Sequence, residues 1–245
     1  MVRVLVIGID GCSPDLIEKW KDELPNLKRI IEHGVFGRME STIPPVTCPA
    51  WNSMITGKNP GKIGVYDWII FDRKNKKLDV VNYLYQRALS VWDYLGNHGK
   101  KVVVINVPVT YPPKKVNGIL VCGLLTPPSA NVDYTYPPNI KEELDEVVGG
   151  YEILPLIPNT ISGREDLCLS EIDRVFDKRV KAVKYLMKKY SWDFFMVVFY
   201  VTDYVQHYFW HYMDESHPKH DPIMAEKYRY VIENFYKKVD SVIGE

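Results

Sequence analysis

Asp203 and His207 lie four residues apart in the segment TDYVQH at 202–207. In a helix, this spacing places two side chains one turn apart on the same face, as a chelating pair of metal ligands requires. His211 follows His207 at the same interval, so it is an alternative third ligand on that face. Aromatic residues crowd the segment, and the other interpretation makes the histidines hydrogen-bonded core residues. The spacing therefore predicts a metal site, with a core role as the alternative.

Two apolar runs end near acidic residues. Asp10 ends the run at residues 2–9, and Asp203 follows the run at 192–201. Such runs are typical of strands buried on both faces of a parallel sheet. Open α/β sheets bind their ligands beyond the carboxyl ends of the strands. If the two strands are neighbours, both carboxylates open into one crevice, which favours a functional role. The alternative for Asp10, which precedes a glycine, is a turn residue.

Thr47 ends a proline-rich approach, and Pro49 stands where a helix is expected to begin. The free N–H groups and positive dipole end of a helix N-terminus attract an anion such as phosphate. A threonine hydroxyl is a poor nucleophile unless a base or a metal ion helps to deprotonate it. No histidine lies close to Thr47 in the sequence, which favours the metal. A role for Thr47 as a simple helix cap is the alternative.

The elements that must position these residues follow from the apolar pattern. Helices are expected through the twenties, at 25–33, at 89–98 and from Ser170 to about Tyr190, the last opened by a variant capping box with Asp173. Further strands are expected at 101–107 and 119–122. This alternation predicts one α/β domain over 1–245, with a doubly wound, mostly parallel sheet and helices on both faces. Residues 107–165 are rich in proline and tyrosine, so we expect an irregular excursion that forms a lid over the site.

The composition limits the classes of partner. Lys and Arg together number 31, as do Asp and Glu, so no overall field attracts a nucleic-acid polymer or an anionic membrane. No apolar stretch approaches the roughly 18 residues that span a bilayer. We therefore expect a cytoplasmic protein. The four cysteines are scattered without a CxxC pair, which indicates reduced packing residues. Cys48 is a poor phosphatase nucleophile because no arginine follows it in the same loop to hold a phosphate.

Three segments resemble, in this order, the type I phosphodiesterase and nucleotide pyrophosphatase group of the alkaline-phosphatase superfamily. They are IGIDG at 7–11, PPVTCPAWNSMITGKNPGKIGVYDW at 44–68 and TDYVQH at 202–207. The resemblance implies two divalent metal ions, usually zinc, with manganese as the alternative. It implies that Asp10 and Thr47 bind one ion and that Asp203 and His207 bind the other. It also implies that Thr47 attacks phosphorus of a small phosphate ester to form a phospho-threonine intermediate, which is then hydrolysed.

Two departures from the family pattern affect these expectations. Trp68 follows Asp67, where relatives acting on nucleotides commonly have an asparagine, so nucleotide pyrophosphatase activity does not follow directly. Either Trp68 packs on a substrate or it fills the core. The family also takes its remaining metal ligands from a later Ser-Asp-His-Gly segment and a distal histidine, which this chain lacks. Phosphomutases of the superfamily share the metal chemistry, but their nucleophile is usually serine.

A count of the metal ligands also indicates that some are missing. Four ligands shared by two metals give two each, whereas a catalytic zinc usually holds three protein ligands. The apolar stripe of the last helix, formed by Val231, Phe235, Val239 and Ile243, is also expected to be followed by a strand. We therefore expect an alkaline-phosphatase-like fold that is incomplete at its C-terminus, inactive in this truncated form. The alternative is a non-catalytic interaction subunit, or half of a split enzyme, that assembles with itself or with a partner.

Overall fold

The computed structural model describes residues 2–72, 75–128, 132–157 and 161–245. The chain forms two compact units. The first comprises Met1–Gly8, Glu40–Leu154 and Asp177–Val198, and the second comprises Ile9–Met39, Pro155–Phe176 and Phe199–Glu245. None of the helices in the described ranges has the length and apolar character needed to cross a membrane.

Strands and helices alternate along much of the chain. The strands are β1 (Val4–Ile9), β2 (Ile69–Asp72), β3 (Lys77–Val80), β4 (Val102–Ile105), β5 (Gly118–Val121), β6 (Thr135–Tyr136) and β7 (Phe194–Phe199). The helices are α1 (Pro14–Trp20), α2 (Pro25–His33), α3 (Thr47–Thr56), α4 (Pro60–Ile63), α5 (Val91–Asn97), α6 (Asn139–Val148), α7 (Glu165–Lys189), α8 (Val201–Met213), α9 (Pro222–Tyr228) and α10 (Val231–Gly244), with short 3-10 turns at Lys21–Glu23 and Tyr83–Tyr85.

The central sheet has the strand order β1-β7-β4-β5-β6, and β2 and β3 form a separate antiparallel hairpin. β4 is parallel to β5 and to β7, whereas β6 is antiparallel to β5. The N–H of Val4 donates to the carbonyl of Asp193 and that of Asp10 to the carbonyl of Phe199, both at 2.9 Å, so β1 and β7 also run in the same direction. The predicted α/β class with a mostly parallel sheet is confirmed.

Position in the sheet explains where the burial prediction succeeds and fails. Every residue of β4 and β7 is buried, as expected for inner strands. β1 lies at the end of the strand order, and Val4 and Leu5 are 47% and 45% exposed. The prediction that β1 is buried on both faces is therefore wrong, because Gly8 is the one fully buried residue of this strand.

Position 118, the first residue of β5, requires glycine because the backbone of Val102 lies very close to it. Its φ is +148°, and a Cβ there would lie 2.0 Å from the carbonyl oxygen of Val102, its partner across the sheet. Gly118→Ala is expected to lower the free energy of unfolding by about 3 kcal/mol, because only glycine adopts this backbone conformation without strain. Thermal unfolding followed by circular dichroism measures the loss. Gly37→Ala is the control, since a Cβ there meets nothing within 4 Å; equal melting temperatures for the two variants would contradict the argument.

The predicted excursion at 107–165 contains more regular structure than its prolines indicated. β6 and α6 lie within it, and Pro138 occupies the N-cap of α6 with a φ of −58°, a position where proline does not interrupt the helix. Tyr134 and Tyr151 are buried and stacked, with ring centroids 6.0 Å apart. The irregular assignment is therefore wrong in this part, while the lid role stays a prediction. Positions 129–131 and 158–160 of the excursion lie outside the described residues.

The long helix α7 begins at Glu165, five residues before the predicted start at Ser170. Ser170 lies inside the helix, where its hydroxyl donates to the carbonyl of Leu167 at 2.8 Å, so the capping-box interpretation is wrong. The N-terminus is instead held by the Glu165 carboxylate, which accepts from the N–H of Gly163 at 3.1 Å. An acidic residue in the first turn suits the positive end of the helix dipole.

The final helical segment consists of two helices, α9 and α10, rather than one. Val231, Phe235 and Val239 on α10 are buried, and α10 packs on α2 and α8 within the second unit. These helices therefore cover much of the apolar stripe, and the strand expected after it stays a prediction.

Candidate functional site

Asp10 and Asp203 lie at corresponding ends of neighbouring strands. Asp10 directly follows β1, and Asp203 lies in the first turn of α8, which begins just after β7. The Thr202 hydroxyl donates to the carbonyl of Asp10 at 2.6 Å, and the Gln206 amide donates to that of Gly11 at 2.8 Å. A Cβ on Gly11 would lie 2.9 Å from the Cα of Asp203. The turn after β1 is therefore fixed closely against the first turn of α8.

Asp203 and His207 form a pair on one face of α8, as their spacing predicts. The Nε2 atom of His207 lies 3.4 Å from Oδ1 of Asp203, and the imidazole is 73% exposed. The hydrogen bond with Asp203 raises the pKa of His207; burial opposes the shift, and the charges of Asp203 and Asp10 add to it. All three side chains therefore share one electrostatic environment. The exposure of His207 excludes the alternative that it is a core residue.

Carboxylate oxygens and an imidazole nitrogen are a donor set that suits zinc or manganese. In the described ranges, no three His, Cys, Asp or Glu side chains are grouped closely enough to hold a metal ion. The pair on α8 is thus fitted to be part of a coordination shell, and Asp10 does not complete a triad with it as the side chains stand. The metal site at these residues stays a prediction.

Thr47 belongs to the first unit and is the first residue of α3. The N-cap is Val46, with φ −115° and ψ 148°, and no side chain makes the capping hydrogen bond. The alternative that Thr47 merely caps the helix is therefore wrong. The helix is anchored further along by Trp51, whose ring lies over Gly8 of β1: a Cβ at Gly8 would lie 2.4 Å from the Trp51 ring. The Thr47 hydroxyl thus lies at a helix N-terminus without a capping role.

The chain matches the sequence profile of the type I phosphodiesterase / nucleotide pyrophosphatase family over residues 4–245. The protein belongs to this family.

Solved structures share the fold of this phosphodiesterase-family chain. Phosphonoacetate hydrolase from Sinorhizobium meliloti 1021, in complex with phosphonoacetate, is 17% identical with a TM-score of 0.59, over 98% of this chain and 54% of the other. Murine ectonucleotide pyrophosphatase / phosphodiesterase 5 in complex with AMP is 14% identical with a TM-score of 0.56, over 100% and 51%. The human protein of that name is 14% identical with a TM-score of 0.52, over 99% and 50%.

These comparisons establish an alkaline-phosphatase-like fold. The chain spans about half the length of each of these structures. No curated protein sequence matches it significantly.

Trp68, the residue that departs from the phosphodiesterase family pattern, is half-buried. It packs on a buried cluster formed by Cys48, Ile63, Val65, Val81 and Val109. Asp67 is exposed and accepts from the N–H of Trp68 at 2.7 Å. The same cluster accounts for Cys48, which is fully buried, and no disulfide joins any of the four cysteines. The prediction that Cys48 is a packing residue is confirmed.

His211, the alternative third ligand, packs beside other rings. Its ring centroid is 3.9 Å from that of Tyr212 and 5.9 Å from that of His217. Burial lowers the pKa of His211, and His217 and Lys219 lower it further. Within the described residues it forms no metal-binding group with Asp203 and His207, so the third-ligand alternative is not supported.

A cavity of about 500 Å³ in the second unit was not anticipated from the sequence. We name it the α8 cavity; its wall includes Glu165, His207, Tyr208, His211, Tyr212 and His217. Glu165 is only 5% exposed, and its carboxylate accepts from the Tyr212 hydroxyl at 3.0 Å. Burial acts to raise the pKa of Glu165, but hydrogen bonds from its own backbone, Tyr212 and Gly163 outweigh it and hold the pKa below the usual value. The signal available in the sequence was an acidic residue at a helix start, which the misplaced start of α7 concealed.

Proposed function

We propose that this chain is part of a metal-dependent hydrolase of small phosphate esters that uses Thr47 as its nucleophile. The observation that carries the proposal is the Asp203–His207 pair, 3.4 Å apart on α8 and fixed beside the turn that bears Asp10. Two neighbouring parallel strands deliver these residues at their carboxyl ends, where open α/β sheets bind ligands. Membership of the phosphodiesterase family supports the same reaction class.

In the proposed reaction, the Thr47 oxygen forms a bond to phosphorus as the bond from phosphorus to the leaving alcohol breaks. The resulting phospho-threonine ester is then hydrolysed, which regenerates the hydroxyl. Free N–H groups at the start of α3 would stabilise negative charge on the phosphoryl oxygens. A structure of murine ectonucleotide pyrophosphatase / phosphodiesterase 5 is described as an inactive threonine-to-alanine variant, which supports a threonine nucleophile in this fold.

Asp10, Thr47, Asp203 and His207 are the proposed protein ligands for two divalent cations, zinc or manganese. Bound cations would lower the pKa of the threonine hydroxyl and stabilise charge on the phosphoryl group. Four ligands are fewer than two catalytic ions need, since a catalytic zinc usually holds three. The proposal therefore includes further ligands from residues that this chain does not contain, supplied by a longer chain or by a partner.

The test is hydrolysis of bis-p-nitrophenyl phosphate. Protein completed with the residues that supply those further ligands, treated with a chelator and then given zinc or manganese, is expected to turn over the diester at least about 100-fold faster than the same protein without metal, since a metal ion contributes several kcal/mol to the transition state. Nitrophenolate release measured by absorbance checks this, with magnesium and no added metal as controls. A rate indistinguishable from buffer with either ion would contradict the enzyme and favour a non-catalytic interaction subunit.

A further inference from the structure

The α8 cavity adjoins the proposed reaction centre, because His207 belongs both to its wall and to the pair with Asp203. Its volume of about 500 Å³ lies within the range of sites for small organic ligands, so it has room for more than a phosphate group. A substrate held at the Asp203–His207 pair could thus place its alcohol part in this cavity.

Hydrogen bonds fix the walls of the α8 cavity before any ligand arrives. Glu165 is held by Tyr212 across 47 positions of sequence. A ring nitrogen of His220 pairs with the carbonyl of His211 at 2.8 Å, which ties the loop after α8 back onto that helix. Such bonds preorganise a site, so binding does not require the wall residues to be ordered afresh.

The charges in the wall do not favour an anionic ligand. The wall contains one lysine, Lys219, and two carboxylates, Glu165 and Asp221. The N–H of Lys219 donates to the Nδ1 atom of His217 at 3.1 Å, which holds the loop that carries Lys219. With one lysine against two carboxylates, the wall has no excess of fixed positive charge to hold a second phosphate or a carboxylate.

The polar groups also disfavour a purely apolar ligand. Burying an alkyl chain against the Glu165 carboxylate and the imidazoles would remove water from them without a replacement hydrogen bond. Tyr208, Trp210 and Tyr212 offer aromatic surface between these polar groups. Aromatic faces that cover C–H surface, beside a carboxylate that accepts from hydroxyls, suit a neutral ring or chain that carries several hydroxyl groups.

We propose that the α8 cavity binds the alcohol part of the phosphate ester and that this alcohol is a neutral, polyhydroxylated group such as a sugar or polyol. The inference rests on the proposed hydrolysis, because the phosphate would be held at the neighbouring Asp203–His207 pair. Glu165 would accept hydrogen bonds from ligand hydroxyls, and Tyr208 would cover the less polar face.

Binding by isothermal titration calorimetry tests this with three probes: glucose 1-phosphate, phenyl phosphate and inorganic phosphate. Glucose 1-phosphate is expected to bind at least about tenfold more tightly than either of the other two, because only its ring can pair with the carboxylate. Glu165→Gln is expected to remove that advantage, and Tyr208→Ala is expected to weaken both ring-bearing probes while leaving inorganic phosphate unchanged. Glu226→Gln, an exposed carboxylate change in the same unit and outside the cavity wall, is the matched control.

Equal affinity for the three probes overturns the inference, as does an equal loss for all three in Glu165→Gln. Thermal unfolding of each variant shows whether it is folded; if Glu165→Gln is not, Tyr208→Ala carries the test. Hydrolysis of bis-p-nitrophenyl phosphate separates the two proposals. Turnover without a preference for glucose 1-phosphate removes only the role of the cavity, whereas the preference without turnover removes only the hydrolase.

Discussion

In the protein completed with its further metal ligands, Thr47→Ala is expected to lower metal-dependent hydrolysis of bis-p-nitrophenyl phosphate at least about 1000-fold, the size of loss that follows removal of a covalent nucleophile. The substitution deletes the oxygen that bonds to phosphorus and leaves the α3 backbone N–H groups in place. Because Val46 is the N-cap and no side chain makes the capping bond, the helix loses no cap. The free energy of unfolding is therefore expected to change by no more than about 0.5 kcal/mol.

Two variants make this result specific to the nucleophile. Thr47→Ser keeps a hydroxyl and is expected to retain most of the rate, whereas Thr42→Ala removes a hydroxyl from the same approach segment and is expected to leave it unchanged. In the unsubstituted protein, mass spectrometry after an acid quench is expected to find a phosphoryl group on the peptide that contains Thr47. Full activity of Thr47→Ala, or a phosphoryl group on another peptide, would show that Thr47 is not the nucleophile.

The local sequence pattern was sufficient to predict the strands and helices that carry these residues. The apolar runs before Asp10 and Asp203 became β1 and β7, and the four-residue spacing of Asp203 and His207 became one turn of α8. Both signals depend only on the period of a strand or a helix, so neighbouring residues determine them. The position of Thr47 at a helix N-terminus follows similarly from the proline-rich approach.

Features that depend on distant parts of the chain were not predictable in this way. The α8 cavity joins Glu165 to Tyr212, and only the folded chain brings these residues together. The edge position of β1 depends on strand order, which a single apolar run does not contain. Helix α6 was not predicted, because the prolines before it indicated a break in regular structure. Pro138 lies at the N-cap, a position where a helix accepts proline. Burial of the α10 stripe likewise depends on α2 and α8, which precede it by many residues.

Asp203→Ala and His207→Ala are each expected to lower the affinity for zinc at least about 100-fold, because a ligand that is removed outright costs at least as much as a disturbed neighbour of a ligand. Turnover is expected to fall in proportion to the zinc lost. Zinc content after equilibrium dialysis, measured by mass spectrometry, follows the metal independently of the reaction. The His207 side chain is largely exposed, so loss of the Asp203–His207 interaction is expected to change the free energy of unfolding by less than about 1 kcal/mol.

The distinction between a metal ligand and a surface histidine rests on a matched substitution. His33→Ala removes an exposed imidazole at the end of α2 in the same unit, and zinc content is expected to stay unchanged. If His207→Ala binds as much zinc as His33→Ala, the pair is not part of a coordination shell. If zinc is lost only from the α8 variants while Thr47→Ala retains it, the pair on α8 is the principal anchor of the metal and Thr47 contributes chiefly to the chemical step.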